Sequence, residues 1–410
     1  MIDITHNRTL CRTLVLSALM ALTVFTSTRL RADMGTCGGQ IVTLPFTDAQ
    51  DTNIFFCSIA EAYFTGLTFG TTPTTYSPAD PVPREQMAAF ITRTLDQSLK
   101  RGNRRAALQQ WWRPTSAGAV RAINLAPNAT PKSIVCDGKD VWTANGLIGT
   151  VSRVDAASGR LLQTWTGMSD ASAVIACAGQ VFVTALQGVN TPARLYVINP
   201  EATTAGAATL FQGNIGFQPE QITFDGTFLW TANRNDFSSG GSITRIDVAT
   251  ALADTFNVGF DTPQDILWDG ENLWVSDPGL NALLRVNPNT GAVLDSIAVN
   301  LPRTLLFDGT NLWVTTGSGG APVKVFRAVG PLRGTLLANL SGNGLFSPYG
   351  MAFDGERVMV VGFADGVVSL FKAADFTPLG SLTIPGASRN ACSDGVNFWI
   401  TKNNFDILRF

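Results

Sequence analysis

The sequence predicts an all-β seven-bladed propeller preceded by a small α-helical module. Three observations carry this expectation. A short unit built on Asp-Gly recurs seven times from Ile134 onward, at intervals of 39 to 47 residues and about 43 on average. Each interval holds enough turn and strand material for four strands, and four strands per repeat of roughly 40–45 residues is the propeller signature. Composition agrees: 45% apolar and 15% charged, with 39 Gly, 20 Pro, 25 Phe and 9 Trp, a mix that suits short strands and tight turns around a large core and excludes a disordered chain.

The copies read IVCDGKDVWTAN, ITFDGTFLWTAN, ILWDGENLWVSD, LLFDGTNLWVTT, MAFDGERVMVVG and ACSDGVNFWITK, with a degenerate VIACAGQVFVTA in which Ala178 replaces Asp. The first strand ends at Asp-Gly, a hairpin turn in which Gly tolerates positive φ and the Asp carboxylate can accept nearby amides. The second strand carries the apolar–aromatic–apolar triplet, such as Leu273-Trp274-Val275, and is apolar on both faces, as expected of a strand sandwiched between sheets. Third strands follow, for example 242–246 and 282–286, each closed by a turn such as Asn287-Pro288-Asn289-Thr290-Gly291. The fourth strand, as in 160–165, is more polar and suits an outer rim.

The chain stops at 406–410, a third strand, whereas 119–125 looks like a stray fourth strand placed ahead of the first repeat. Pairing the two closes the ring and leaves no sheet edge open. The 294 residues from Ala117 to Phe410 hold seven such units. A β-helix or solenoid, the rival architecture, usually has shorter repeats and needs caps. The Asp-Gly and Leu-Trp residues resemble exported propellers of the NHL, YncE and virginiamycin-B-lyase-like group, over about 290 residues; the His and Trp-Asp marks of WD40 repeats are absent.

Ahead of the repeats, residues 1–32 read as a signal peptide: Arg8 and Arg12 precede an apolar core from Thr13 to Phe25, and small residues follow. Thirteen residues are too few to span a bilayer as a helix, which takes about 20; an uncleaved tether is the alternative. The expected location is therefore exported, in the cell envelope, periplasm or cell surface, with no transmembrane helix after signal removal. Cleavage after Ala32 leaves a net charge of −5 in place of −2, which gives no pull toward nucleic acid. Export also makes Cys37 and Cys57, in one small region, candidates for a disulfide. Cys136, Cys177 and Cys392 sit in the repeats and are expected to be small buried apolar side chains.

Residues 43–99 turn helical. Ile59, Ala62, Tyr63 and Gly66 follow one helical face, and Met87, Ala88, Phe90, Ile91 and Leu95 another, opened by Pro81 and Pro83. Phe46-Thr47-Asp48, Gly66 and Gly70, Tyr76-Ser77-Pro78 and the Arg84 that opens the last helix resemble an S-layer homology (SLH) domain. The resemblance implies attachment to cell-wall polysaccharide, with Asp48, Arg84, Glu85 and Gln86 as wall-binding residues. Such domains generally act as three tandem copies; this chain has one, and the family's Thr-Arg-Ala-Glu appears as Pro83-Arg84-Glu85-Gln86, with only the Arg in place. Residues 100–116 form a basic, Trp-containing linker with four cations from Lys100 to Arg105, and Trp111 and Trp112 to dock it.

The only histidine is His6, inside the signal. Ser-His-Asp and Cys-His nucleophiles need an imidazole, as does a virginiamycin-B-lyase-like base, and zinc or copper sites favour His or clustered Cys. The enzyme reading left is a Ca²⁺-dependent lactonase or hydrolase using carboxylate and amide oxygens. The Asp-Gly aspartates are too regular for that and read as turn residues. Residues just past the second strands, Asn145, Asn233, Asp277, Thr316 and Lys402, with Arg234, Asn235 and Asp236, differ between blades and converge on one face. Asn145, Asn233, Arg234, Asp277 and Lys402 are the candidate propeller-face binding residues. The expected function is a non-catalytic envelope protein whose propeller binds a glycan, peptide or protein partner.

Overall fold

The computed structural model describes residues 33–91 and 121–410, apart from 38–39, 65–67, 69, 85–86, 89, 189–190, 235–239, 318–321, 364–365, 385, 387 and 403–405. The expected signal, the linker at 100–116, and Glu85, Gln86, Asn235 and Asp236 lie outside the described residues. The chain divides into two compact units, Met1–Ser98 and Leu99–Phe410.

The larger unit is a seven-bladed propeller of seven four-stranded antiparallel sheets. The innermost strands are Pro131–Cys136, Ala171–Cys177, Pro219–Phe224, Asp265–Trp268, Pro302–Phe307, Pro348–Phe353 and Ser388–Ser393, one in each of blades 1 to 7. Blade 7 is completed by Arg121–Asn124, which pairs antiparallel with Asp406–Arg409 in a register that sets Ala122 opposite Leu408. The ring therefore closes three strands plus one, as the sequence pattern requires.

The Asp-Gly unit is a folding device. In five blades one carboxylate oxygen accepts the backbone N–H groups two and three residues on, and the other accepts an indole N–H. Asp269 shows the pattern, holding Glu271 N at 2.8 Å, Asn272 N at 2.7 Å and Trp274 Nε1 at 2.7 Å; Asp137, Asp225, Asp308 and Asp394 hold Trp142, Trp230, Trp313 and Trp399 alike. The arrangement lets a large indole bury without orphaning its N–H. Gly270 adopts φ 99°, and nothing lies within 4 Å of where its Cβ would be, so backbone conformation and not space demands glycine there. Blade 6 has Met359 in place of Trp. Its Asp354 accepts from Arg357 Nε at 2.7 Å, and both side chains are buried.

Each ring packs against the first two strands of the following blade: Trp142 against Val174 and Val183, Trp274 against Leu305 and Leu312, Trp313 against Met351 and Val358. Second strands are correspondingly buried on both faces, whereas fourth strands such as Val293–Ala298 are mostly exposed.

The cysteine expectation is corrected. Cys136 and Cys392 form a disulfide, Cα–Cα 5.8 Å, joining the innermost strands of blades 1 and 7. Register explains the pairing. Cys392 lies opposite Trp399, and so on the face that looks toward blade 1. Cys136 lies one position beyond Val135, the residue opposite Trp142, and so on the other face, toward blade 7. Cys177 is a free, half-buried thiol, pushed up to about 12 by burial.

The smaller unit contains a hairpin, Met34–Cys37 with Gln40–Thr43, which the sequence reading lacked, and the helix Phe56–Phe64; Arg84, Met87, Ala88, Phe90 and Ile91 are helical as well. Leu44, Phe46, Ala49, Phe56, Ile59 and Ala60 form its core. Met87 and Ile91 of the expected second apolar face are exposed. Cys57 is disulfide-bonded; the side chain of Cys37 lies outside the described residues.

Candidate functional site

The innermost strands surround the channel, and their first residues line its mouth. Four of them open on proline (Pro131, Pro219, Pro302, Pro348), and Pro263 precedes the inner strand of blade 4. Proline is tolerated at a strand's first position because no ladder hydrogen bond is lost. Directly after it the register slips in blades 1, 3, 5 and 6, as it also does in blades 2 and 7. Such bulges re-aim side chains. The residues at that position are Lys132, Ser172, Glu220, Gln264, Arg303, Tyr349 and Arg389, one per blade and no two neighbours alike. All seven blades contribute to a cavity of about 130 Å³, through Lys132, Ser172, Glu220, Gln264, Thr304, Tyr349 and Arg389 among others.

The mouth is organised by stacking. Arg303 lies 5.5 Å from the Tyr349 ring, Tyr349 lies 5.6 Å from Phe363, and Arg389 lies 5.3 Å from Phe363. Two guanidinium groups thus flank a tilted aromatic pair, and Arg303 Nη2 also donates to Gly317 O at 3.5 Å. Among the described residues neither arginine has a carboxylate within ion-pair distance. Tyr349 Oη accepts from Gln264 Nε2 at 3.2 Å, and its hydroxyl is raised above the usual tyrosine range, first by burial and then by Glu220.

The remaining charges are engaged. Lys132 Nζ meets Asp170 at 2.6 Å, and Arg234 lies 3.6 Å from Glu220. Asp265 is buried and accepts Leu305 N at 2.7 Å and Ile266 N at 2.8 Å. Burial raises its pKa to about 7 against the lowering effect of those two amides. Asn390 Nδ2 donates to Lys132 O at 2.6 Å, tying blade 7 to blade 1 within the wall. The lining sets two cations, Lys132 and Arg389, beside two carboxylates, Glu220 and Asp265, with Arg303 stacked on Tyr349 next to them. Calcium needs six to eight oxygens, and the two mouth carboxylates are already occupied by a guanidinium and by backbone amides.

The sequence-chosen face residues sit on the same end of the ring but mostly point inward. Asn145 is buried, accepting from Thr143 at 3.0 Å and donating to Thr150 and Ser152 at 3.1 and 2.9 Å. Asn233 repeats this with Thr231, Ser242 and Thr244. Asp277 accepts the amides of Asp261, Thr262 and Leu280, and Thr316 donates to Pro322 O at 2.8 Å. Arg234 is exposed and Lys402 half-buried. The signal for the stacked ring was present but unread: TPKS, QPEQ, TPQD, LPRT and SPYG each precede an Asp-Gly unit, with the residue after Pro varying.

In the smaller unit, Asp48 accepts the backbone N–H of Tyr76 and of Ser77, each at 2.8 Å, and so ties the Phe-Thr-Asp segment to Tyr-Ser-Pro. Arg84 is exposed.

No family model matches the chain, and no curated protein matches it. Solved structures do. A Kuenenia stuttgartiensis hydrazine synthase chain is 13% identical with TM-score 0.55, covering 70% of this chain and 97% of that one. The Cps50 (Swd1) β-propeller domain of Myceliophteria thermophila is 12% identical with TM-score 0.57, covering 71% and 99%. A streptogramin B lyase is 16% identical with TM-score 0.55, covering 71% and 96%. These likenesses concern the propeller fold. Among the described residues no helix is long and apolar enough to cross a membrane.

Proposed function

We propose that this chain is an exported, envelope-associated, non-catalytic binding protein. Its propeller holds an anionic group of a glycan, peptide or protein partner at the channel mouth, and its SLH-like module attaches to cell-wall polysaccharide. One observation carries the first half: the inner-strand position facing the mouth differs from each blade to the next, and there sets Arg303 and Arg389 against an aromatic pair without a carboxylate partner among the described residues. A folding requirement would repeat from blade to blade, as the Asp-Gly unit does. A disulfide across the ring closure supports an oxidising compartment.

Attachment rests on Arg84, which is exposed and free of any structural partner among the described residues, whereas Asp48 supports the turn beside it. The test uses residues 33–410 on immobilised polygalacturonate, on dextran as a neutral control, and on purified wall polysaccharide. Retention on polygalacturonate that disappears in Arg303→Ala/Arg389→Ala supports the mouth. Equal retention on dextran contradicts it. Wall retention that survives Arg84→Ala removes the role given to the small module.

A further inference from the structure

Four blades place an arginine on the third strand opposite the second-strand tryptophan: Arg153 opposite Trp142, Arg245 opposite Trp230, Arg285 opposite Trp274 and Arg409 opposite Trp399. In three of them the guanidinium crosses the seam to a carbonyl in the next blade's turn: Arg153 to Pro200 O at 2.7 Å, Arg245 to Asn289 O at 3.0 Å, and Arg409 to Ala157 O at 2.9 Å. In two, another donor of the fork meets the residue that opens its own second strand. Arg153 Nε donates to Asp140 at 2.7 Å, and Arg285 Nη1 donates to Asn272 Oδ1 at 3.2 Å.

Blade 5 breaks the pattern. It keeps Trp313, and Asn311 stands where blade 4 has Asn272, but Val325 lies opposite the tryptophan. Asn311 is only 8% exposed. Its Nδ2 donates to Asp308 at 3.1 Å, yet its Oδ1 is buried with no hydrogen-bond partner among the described residues. Beside that oxygen a groove of about 780 Å³ runs between blades 5 and 6, walled by Leu337, Phe353, Phe376 and the turn at Ala373 and Ala374. Ala374 holds the turn position of Ala157 and Asn289. Asp308 and Glu356 on the lining offset Arg327 and Lys372. The groove thus lies between Asn311 and the turn at Ala374, the two places that a guanidinium links in other seams, while Phe376 covers the Trp313 ring that an arginine covers in blades 1, 3 and 7.

We infer that this groove takes the guanidinium of an arginine side chain carried by a second chain, supplying in trans the fork that Val325 replaces. The planar group donates to Asn311 Oδ1 and to the blade 6 turn, with its stem along Phe353 and Phe376. This site lies at the Asp-Gly end of the blades, away from the channel-mouth residues, and stands independently of the anionic ligand proposed there.

The test titrates residues 33–410 with N-acetyl-L-arginine amide and with its citrulline counterpart, which keeps the planar donors but not the charge. A probe of this size is expected to bind at about millimolar Kd. Charge-assisted hydrogen bonds predict at least ~10-fold weaker binding of citrulline. Asn311→Leu, which also gives up the hydrogen bond to Asp308, should lose arginine binding while keeping a cooperative melt, and Val325→Arg should lose it by filling the groove in cis. Where Val325→Arg misfolds, the isosteric Asn311→Leu decides. No saturable binding to the parent chain, equal binding of citrulline, or full binding to Asn311→Leu each overturns the inference. Arginine binding that persists in Arg303→Ala/Arg389→Ala shows that the groove and the mouth are separate sites.

Discussion

Breaking the Cys136–Cys392 disulfide in Cys136→Ser/Cys392→Ser should destabilise the propeller without unmaking it. The bond spans a sequence separation of 256 residues and joins the first and last blades. Chain-entropy arithmetic for a loop of that length gives about 5.5 kcal/mol near 25 °C, against typical measured values of about 2–4 kcal/mol. The native ring stays closed by the four paired residues of Arg121–Asn124 and by Asn390 on Lys132, so near-ultraviolet circular dichroism should be unchanged at 25 °C. For a unit of this size each kcal/mol moves Tm by about 2 °C, and the double variant should melt roughly 5–10 °C lower by calorimetry. Reductant should lower the propeller's Tm in the parent chain and leave it unmoved in the variant, which separates the seam from the disulfide at Cys57. Cys177→Ala should keep the full reductant effect. Equal melting temperatures for parent and double variant would refute the reasoning, since the covalent clasp would then add nothing to the paired strands.

Further outcomes follow from single residues. Asp269→Ala leaves two amides and the buried Trp274 N–H without acceptors and should lose about 2–4 kcal/mol in denaturant unfolding; Asp269→Asn, which keeps one oxygen, should lose less. Arg357→Ala strands the buried Asp354 carboxylate and should cost about 3–5 kcal/mol by the same measurement. Asp265 is an acid raised from 3.8 to about 7 by burial, so the folded state holds its proton longer than the unfolded state does. Its contribution to stability therefore declines as pH climbs from about 4 to about 7 and is level above that. Asp265→Asn should remove that slope, narrowing the gap to the parent by up to a few kcal/mol between pH 5 and pH 8; parallel urea midpoints at the two pH values would contradict the assignment.

What could be read from sequence was what repeats. The Asp-Gly unit and its tryptophan recur because most blades solve the same problem, seating an indole between two sheets in five of the seven, so the copies expose fold, blade count and closure together. The mouth residues carry no such redundancy. Lys132, Glu220, Tyr349 and Arg389 share a position but no single side-chain type, and only the recurring proline before most of them marks it. Asn145, Asn233 and Asp277 looked like ligands because they stand at strand ends. The fold uses their side chains to satisfy hydroxyl and amide groups of their own blade. The disulfide was hidden for a geometric reason: facing sheets present opposite faces, so Cys392 and Cys136 occupy repeat positions one residue apart rather than matching ones. In the smaller unit, the Asp48 link between Phe-Thr-Asp and Tyr-Ser-Pro joins segments nearly 30 residues apart in sequence, a contact that local periodicity does not encode.

The claim that the bulged inner-strand position is where ligand meets protein is tested most directly by amide hydrogen exchange on residues 33–410 with and without polygalacturonate oligosaccharide. The account predicts slowed exchange at the seven inner-strand starts, around 131–133, 219–221, 302–304, 348–350 and 388–390 above all, with the Asp-Gly turns unaffected. Protection confined to the Asp-Gly turns or the outer strands, with the inner-strand starts unchanged, would contradict it.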